Sequence, residues 1–382
     1  MTRPRRQADL LEFVDATHVR LGRHTFLYFG GCNYLGLSFE PSVRLAMQRV
    51  LERGPVQPGA SRATTGDHWL YRQAEQVMAR WFRVPVALLV NSGYLAPLAA
   101  VQALAVRCTH LLVDDRSHVC IRDAAAASGR PVIRFPHGQV EALRQQLRGL
   151  PRGCAPLLLT DGTLGTRSGM APLDAYLGEL PAQGWMLVDD AHGAGTVGPD
   201  GRGAVAHFRI RDGRVVQAIS LAKAFGVGGG AVLGGRELLS AIRLTSPAFV
   251  GSTTLPLSIP AGVVAALTVL RRNPGRVHKL QAHQRRFHAM LPSDPRLSCG
   301  PLTPVTTFTP SGSADELRMR RALVRAGIYP SFIHYPGGAS TGFLRLALSA
   351  RHSRLEVERL AAAVVAGMLG AASRSAARSA AV

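Results

Sequence analysis

Seven short apolar runs recur through the middle of the chain: Ala87–Val90, Leu111–Val113, Val132–Phe135, Leu157–Thr160, Met186–Val188, Val215–Ser220 and Ala231–Leu233. Each is too short for a helix core, and helix-patterned stretches separate them, so they predict buried strands alternating with helices. Strands apolar on both faces belong to a mainly parallel, twisted sheet covered by helices on either side, an α/β architecture. In such a sheet the ligand sits at the carboxyl ends of the strands. Near Arg271–Gly275 the alternation breaks at an Arg/Asn/Pro/Gly stretch, and a second pattern of helices and short strands follows. The expected organisation is an amino-terminal arm over 1–38, a large domain over 39–273, and a smaller α+β carboxy-terminal domain over 274–370. The Ala, Ser and Arg residues of 371–382 read as a disordered tail.

Composition narrows the class. A chain of 382 residues, 47% of them hydrophobic, can bury a large core and suggests two or three structural units. The longest apolar stretches, Ala261–Leu270 and Leu360–Ala372, fall short of the roughly 18 to 20 residues that span a bilayer. Met1–Arg6 is basic but no apolar segment follows it, so no cleaved signal peptide is expected and cytoplasm is the default location. The five cysteines, Cys32, Cys108, Cys120, Cys154 and Cys299, are odd in number and never spaced Cys-x-x-Cys. That argues for core thiols over a disulfide framework or zinc site. A net charge of +21 suits an acidic partner: nucleic acid, coenzyme A or an acidic carrier protein. Specific nucleic-acid binding is disfavoured, because the excess is scattered arginine with no recognised nucleic-acid motif.

Candidate chemistry gathers at the predicted strand ends. Asp189, Asp190 and His192 follow directly on Trp185–Val188 and precede Gly193 and Gly195. A buried carboxylate there needs a cation, and a protonated pyridine nitrogen is one candidate. A metal is the rival, but only these three ligand-type residues cluster in the sequence, so no metal is expected. Ser220-Leu221-Ala222-Lys223 leaves the next strand, ahead of the glycine run Gly226–Gly230. A lone lysine is ordinarily surface charge, but one in small apolar company beside an upstream aspartate suits Schiff-base chemistry. Pyridoxal phosphate enzymes need that pair, the lysine for the aldehyde carbon and the acid for the ring nitrogen.

Gly226, Gly228 and Ala231 satisfy a dinucleotide fingerprint, yet a strand follows where that motif must open a helix, so a nicotinamide cofactor is disfavoured. Asn91-Ser92-Gly93-Tyr94 lies between a strand and an alanine-rich helix and could cradle a phosphate; an ordinary helix cap gives the same residues. His118, after Val113-Asp114-Asp115, could stack on a flat ring or be merely structural.

Taken together and in order, these motifs resemble the α-oxoamine synthases, pyridoxal phosphate enzymes of fold type I, the aspartate aminotransferase-like architecture. The resemblance begins at Asn33-Tyr34-Leu35-Gly36-Leu37 and runs through Gly59–Gly66, Ser92-Gly93-Tyr94, Asp115–His118, Val188–Gly193, Ser220–Lys223 and Gly251-Ser252-Thr253 to Leu344-Arg345-Leu346. It implies that Lys223 carries the cofactor as a Schiff base, Asp189 pairs with the ring nitrogen, His118 stacks on the ring and His192 bonds the ring hydroxyl. Ser92, Gly93, Tyr94 and Ser220 would hold the phosphate, with Ser252 and Thr253 reaching in from the second subunit of a homodimer. Asn33 and Arg345 would bind the amino-acid carboxylate, which suits the fork of arginine. The implied reaction is a decarboxylative condensation of a small amino acid with an acyl thioester, giving an α-amino ketone. Another pyridoxal phosphate reaction on the same scaffold, such as transamination, retro-aldol cleavage or racemisation, is the alternative. A non-catalytic scaffold is the third reading, and the presence of both Lys223 and Asp189 speaks against it.

Three features depart from the family pattern. Gly165, within Asp161–Ser168, stands where the family has a serine that touches the ring hydroxyl. Pro97 replaces an asparagine after the Ser-Gly-aromatic motif. Only about thirty residues precede Asn33, where relatives carry a longer helical arm that shapes the acyl-donor site. An acidic acyl-carrier protein, which the net charge of +21 would suit, is an expected donor beside acyl-coenzyme A.

Overall fold

The computed structural model describes residues 9–300, 302–334 and 342–369; the expected tail 371–382 lies outside them. All seven apolar runs are strands of one sheet: β4 (Val86–Val90), β5 (His110–Asp114), β6 (Val132–Phe135), β7 (Pro156–Asp161), β8 (Trp185–Asp189), β9 (Val215–Ser220) and β10 (Gly230–Gly234). Before them in the chain, β1 (Glu12–Phe13), β2 (His18–Leu21) and β3 (His24–Leu27) make a small antiparallel sheet of the arm. The large sheet has the order β4-β10-β9-β8-β7-β5-β6, and only β10 runs against its neighbours.

Alternation within the strands explains the two covered faces. Leu88 and Val90 of β4 join a core cluster with the helix Leu95–Leu104, while Ala87 and Leu89 turn to the opposite cluster with Leu70, Tyr71 and Ala74 of the helix Trp69–Phe82. Strands β7, β9 and β10 are buried along their whole length, which is why they read as continuous apolar runs. Because β10 is reversed, its first residue, Gly230, lies between Val90 and Ser220, the last residues of its two neighbours. The carboxyl ends of β4, β5, β7, β8 and β9 thus open on one edge of the sheet.

After the helices Ser258–Arg272 and Gly275–Met290, a four-stranded antiparallel sheet has the order β11 (Leu297–Ser298), β12 (Val305–Phe308), β14 (Phe343–Ala347), β13 (Phe332–Ile333). The helices Ser313–Arg325 and Arg354–Met368 accompany it, the second begun by a Ser353/Glu356 capping box that satisfies its first free N–H groups. The arm is fastened to this sheet: Leu27 N donates to Gly327 O at 2.8 Å and Ala347 N to Phe29 O at 2.6 Å. That attachment brings the segment after β3, Gly30–Leu35, against β14 and its Arg345. Among the described residues, no helix is long and apolar enough to cross a membrane.

Candidate active site

Asp189 ends β8 and is buried. Ala191 N donates to its Oδ1 at 3.0 Å and the Cys120 thiol to its Oδ2 at 3.1 Å, and no ion pair reaches it among the described residues. Asp190, next along, faces the other way, accepting from Ala204 N (2.7 Å) and Gln217 Nε2 (2.6 Å). His192 turns back to the open edge. Asp189, Asp190 and His192 therefore do not converge as metal ligands would. The donor atoms that do converge are those of His118, Cys120 and Asp189, within 4.8 Å of one another. Burial and the Asp189 charge push the Cys120 thiol far up, so it stays protonated and serves as a hydrogen-bond donor, not a thiolate ligand.

Ser220 ends β9, and the chain then loops through Lys223 back to β10. Hydrogen bonds from Leu221 N to Gly229 O (3.0 Å) and from Val227 N to Leu221 O (3.1 Å) close the loop around the lysine. Lys223 is half-buried, and its Nζ lies 2.8 Å from His192 Nε2. Burial, and then the neighbouring Lys223 charge, hold His192 well below the usual imidazole range, so it is neutral.

On the far side of β10, Ser92 Oγ accepts at 3.2 Å from the N–H of Leu95, the first residue of the helix Leu95–Leu104. Gly93 lies against Ser220: a Cβ on Gly93 would stand 2.6 Å from Ser220 Cβ. Only glycine permits that approach, which leaves free N–H groups at a helix start next to a serine hydroxyl. Tyr94 packs edge-on to the His118 ring with centroids 6.2 Å apart, and its hydroxyl is bound to Asp123. His118 caps the helix Val119–Ala126; its N–H donates to Asp161 at 3.1 Å and its Nδ1 lies 3.0 Å from Cys120 Sγ. Nearby, Asn91 Nδ2 donates to Thr253 O at 2.6 Å, while the Ser252 hydroxyl donates to Ala248 O at 2.7 Å.

Arg345 is buried, reaching the same edge from β14. It donates from Nε to Gly165 O (2.9 Å), from Nη1 to Gly30 O (3.5 Å), and from Nη2 to Tyr34 Oη (3.2 Å) and Cys32 Sγ (3.4 Å). Tyr34 Oη in turn lies 2.7 Å from His192 Nδ1.

These residues fit pyridoxal phosphate. A buried carboxylate without an ionic partner suits a protonated ring nitrogen, a loop-borne lysine beside a neutral imidazole suits an aldehyde, and the Gly93–Ser220 approach leaves the cradle of N–H groups a phosphate needs.

Residues 28–364 match the family described as "Aminotransferase class I and II". An 8-amino-7-oxononanoate synthase of Acidithiobacillus ferrooxidans is 32% identical over 340 residues, covering 88% of this chain and 86% of that protein. The corresponding protein of Methylococcus capsulatus is 33% identical over 356 residues, 92% of this chain and 91% of its own. The chain belongs to the α-oxoamine synthases. This is a family of pyridoxal phosphate-dependent C-acyltransferases within the class I and II aminotransferases. The fold agrees: a serine palmitoyltransferase of Sphingomonas wittichii superposes with a TM-score of 0.85 at 24% identity, over 93% of this chain and 90% of that one. An 8-amino-7-oxononanoate synthase of Francisella tularensis superposes with a TM-score of 0.74 at 22% identity, over 90% of this chain and 97% of that one.

Among the described residues no hydrogen bond joins Asn33 to Arg345: its Oδ1 accepts from Ser38 N at 3.4 Å, across the turn that follows, and its carbonyl takes the Ser349 hydroxyl. The chain turns here, Tyr34 N donating to Cys32 O at 2.8 Å and Gly36 N to Asn33 O at 3.0 Å, and the side chain of Cys32 meets the guanidinium. Cys32 and Cys120, expected as core thiols, both touch site residues. Tyr34 was legible only as part of a motif; its contact with His192 spans 158 positions of sequence and leaves no local signal.

Gly165 has a steric reason. A Cβ there would stand 2.4 Å from His192 Nε2, so this chain holds its histidine in space where the family's serine side chain would project.

Asp190 supplies a pH-dependent expectation. Its Oδ1 is buried without a hydrogen-bond partner among the described residues, and burial raises its pKa to about 7, against the opposing effect of Ala204 N and Gln217. A carboxyl raised above its unfolded value favours the protonated fold, so its contribution is full below pH 4 and is lost as pH rises through 7, at about 1.4 kcal/mol per unit. Asp190→Asn removes this pH dependence. Melting temperatures measured from pH 5 to 8 should fall more steeply in the wild type than in the variant; parallel curves would contradict the assignment.

Proposed function

We propose that this protein joins a small amino acid to an acyl thioester with loss of carbon dioxide, giving an α-amino ketone. The observation that carries the reading is a lysine amine, a neutral imidazole and a buried guanidinium at one strand-end edge, Nζ to Nε2 being 2.8 Å. Bound pyridoxal phosphate supplies an electron sink for the charge left at the amino acid's α-carbon. Lys223 would hold the cofactor's aldehyde and, once released, take the α-proton; His192 Nε2 lies within reach to steady that amine. Asp189 would hold the ring nitrogen, gaining the cation its burial calls for. His118 would lie on the ring face and His192 at the ring hydroxyl. Ser92, Gly93, Tyr94 and Ser220 would take the phosphate, joined by Ser252 and Thr253 from the second subunit of a homodimer.

Arg345 would bind the substrate carboxylate and fix one orientation of the bonds about the α-carbon, so that orientation does part of the catalysis. Asn33 would join it, as the family motif suggests, with Cys32 flanking the guanidinium. A net charge of +21 supports an acidic acyl-carrier protein as donor beside acyl-coenzyme A, and a cytoplasmic location accords with both donors.

Thiol release tests the reading. Free thiol should appear only when amino acid and thioester are both present, faster from a carrier-bound acyl group than from the coenzyme A thioester. Amino-acid consumption without thiol release would move the assignment to transamination, cleavage or racemisation, and equal rates from the two donors would remove the carrier preference.

A further inference from the structure

Four side chains form one hydrogen-bonded line across the site. Arg345 Nη2 is 3.2 Å from Tyr34 Oη, Tyr34 Oη is 2.7 Å from His192 Nδ1, and His192 Nε2 is 2.8 Å from Lys223 Nζ. The line crosses four parts of the fold: β14, the segment that follows the arm strands, the loop after β8 and the loop after β9.

The direction of each bond follows from what the groups can give. A guanidinium has only donors, so the Tyr34 oxygen accepts from Arg345 and keeps one proton to donate. Two acceptors stand near that proton, the Cys32 sulfur and His192 Nδ1. Sulfur is the weaker, and the imidazole nitrogen lies at 2.7 Å. Tyr34 is fully buried, and burial keeps its hydroxyl protonated well above the ordinary range. A neutral imidazole carries a single N–H. Lys223 as an ammonium has only donors and would claim Nε2 as an acceptor, but as the free amine that can take up an aldehyde it accepts, and with Nδ1 then accepting from Tyr34 the imidazole proton stands on Nε2.

We propose that Tyr34 is a positioning residue for the reaction: it fixes His192 in the Nε2-protonated tautomer and ties that choice to Arg345, so that the carboxylate anchor and the lysine are held by one hydrogen-bonded line. Tyr34 touches no reacting atom in this scheme; it acts through His192. The inference rests on Lys223 as the cofactor-bearing lysine. A donor aimed from Nε2 at the amine and at the cofactor's ring hydroxyl is available only in this tautomer. The other tautomer would present a lone pair to both.

Tyr34→Phe removes one oxygen and leaves the buried ring in place. In the full-length holoenzyme labelled with 15N-histidine, the His192 resonances, assigned by their loss in His192→Asn, should show Nε2–H in the wild type and a mixture of tautomers in Tyr34→Phe. Turnover should fall about tenfold, the worth of one oriented hydrogen bond, while KM for the amino acid stays within about threefold. In the double variant Tyr34→Phe/His192→Asn the first substitution should add no further loss, because its effect passes through the second. An unchanged tautomer in Tyr34→Phe, or losses that simply multiply, would overturn the proposal. The tautomer is read without turnover, so a protein that proves to catalyse another reaction would still report on Tyr34, and the two failures are told apart.

Discussion

Lys223→Ala is expected to lower turnover by on the order of a thousandfold or more, since it removes both the cofactor's covalent anchor and the base proposed for the α-proton. The fold should persist. The loop around Lys223 is closed by main-chain bonds, and among the described residues the one hydrogen bond of the side chain is the contact with His192 at 2.8 Å. Borohydride reduction of the cofactor-loaded wild type, followed by peptide mapping, should fix the cofactor on the peptide containing Lys223, and the variant should yield no such adduct. Activity within tenfold of wild type would remove Lys223 from the chemistry.

Gly165→Ser is the second large effect. The first side-chain atom would arrive 2.4 Å from His192 Nε2 and 2.8 Å from its Cδ2. The ring cannot retreat without giving up Tyr34 on one side and Lys223 on the other. Overpacking of this kind costs about 1–3 kcal/mol, and here it falls on the groups that hold the lysine and, through the Gly165 carbonyl, on Arg345. We expect kcat/KM to drop roughly a hundredfold, the upper end of that range, with the far-ultraviolet spectrum unchanged. A loss under threefold would mean that His192 moves freely and that its present bonds matter little. The substitution restores the family's residue, so the outcome also tells whether this chain has rebuilt the ring-hydroxyl side of its site around glycine.

Much of the fold was legible in the sequence because two-sided burial leaves a simple trace. All seven strands read from continuous apolar runs are present, and β10 followed the glycine run where a dinucleotide fold would have opened a helix. What the sequence could not supply was direction within a motif. Asn33 and Cys32 are neighbours, and the turn they open decides which one hydrogen-bonds Arg345; that depends on how the arm docks on β14, a contact more than 300 positions away. Tyr34 and Cys120 were hidden for the same reason. A buried tyrosine or thiol is ordinary core until its hydrogen-bond partner is known, and these partners lie on other elements. Gly165 stood out as a departure from the family pattern, while its cause, the ring of His192, appears only in three dimensions.

The measurement that bears most directly on the central claim is release of labelled carbon dioxide from carboxyl-labelled glycine, alanine and serine by the cofactor-loaded protein, with and without acyl thioesters. Release from one of the three that requires the thioester, and disappears in Lys223→Ala, is the predicted result and names the amino acid. Amino acid consumed at the same rate with the thioester omitted, or carbon dioxide released without it, would contradict the condensation.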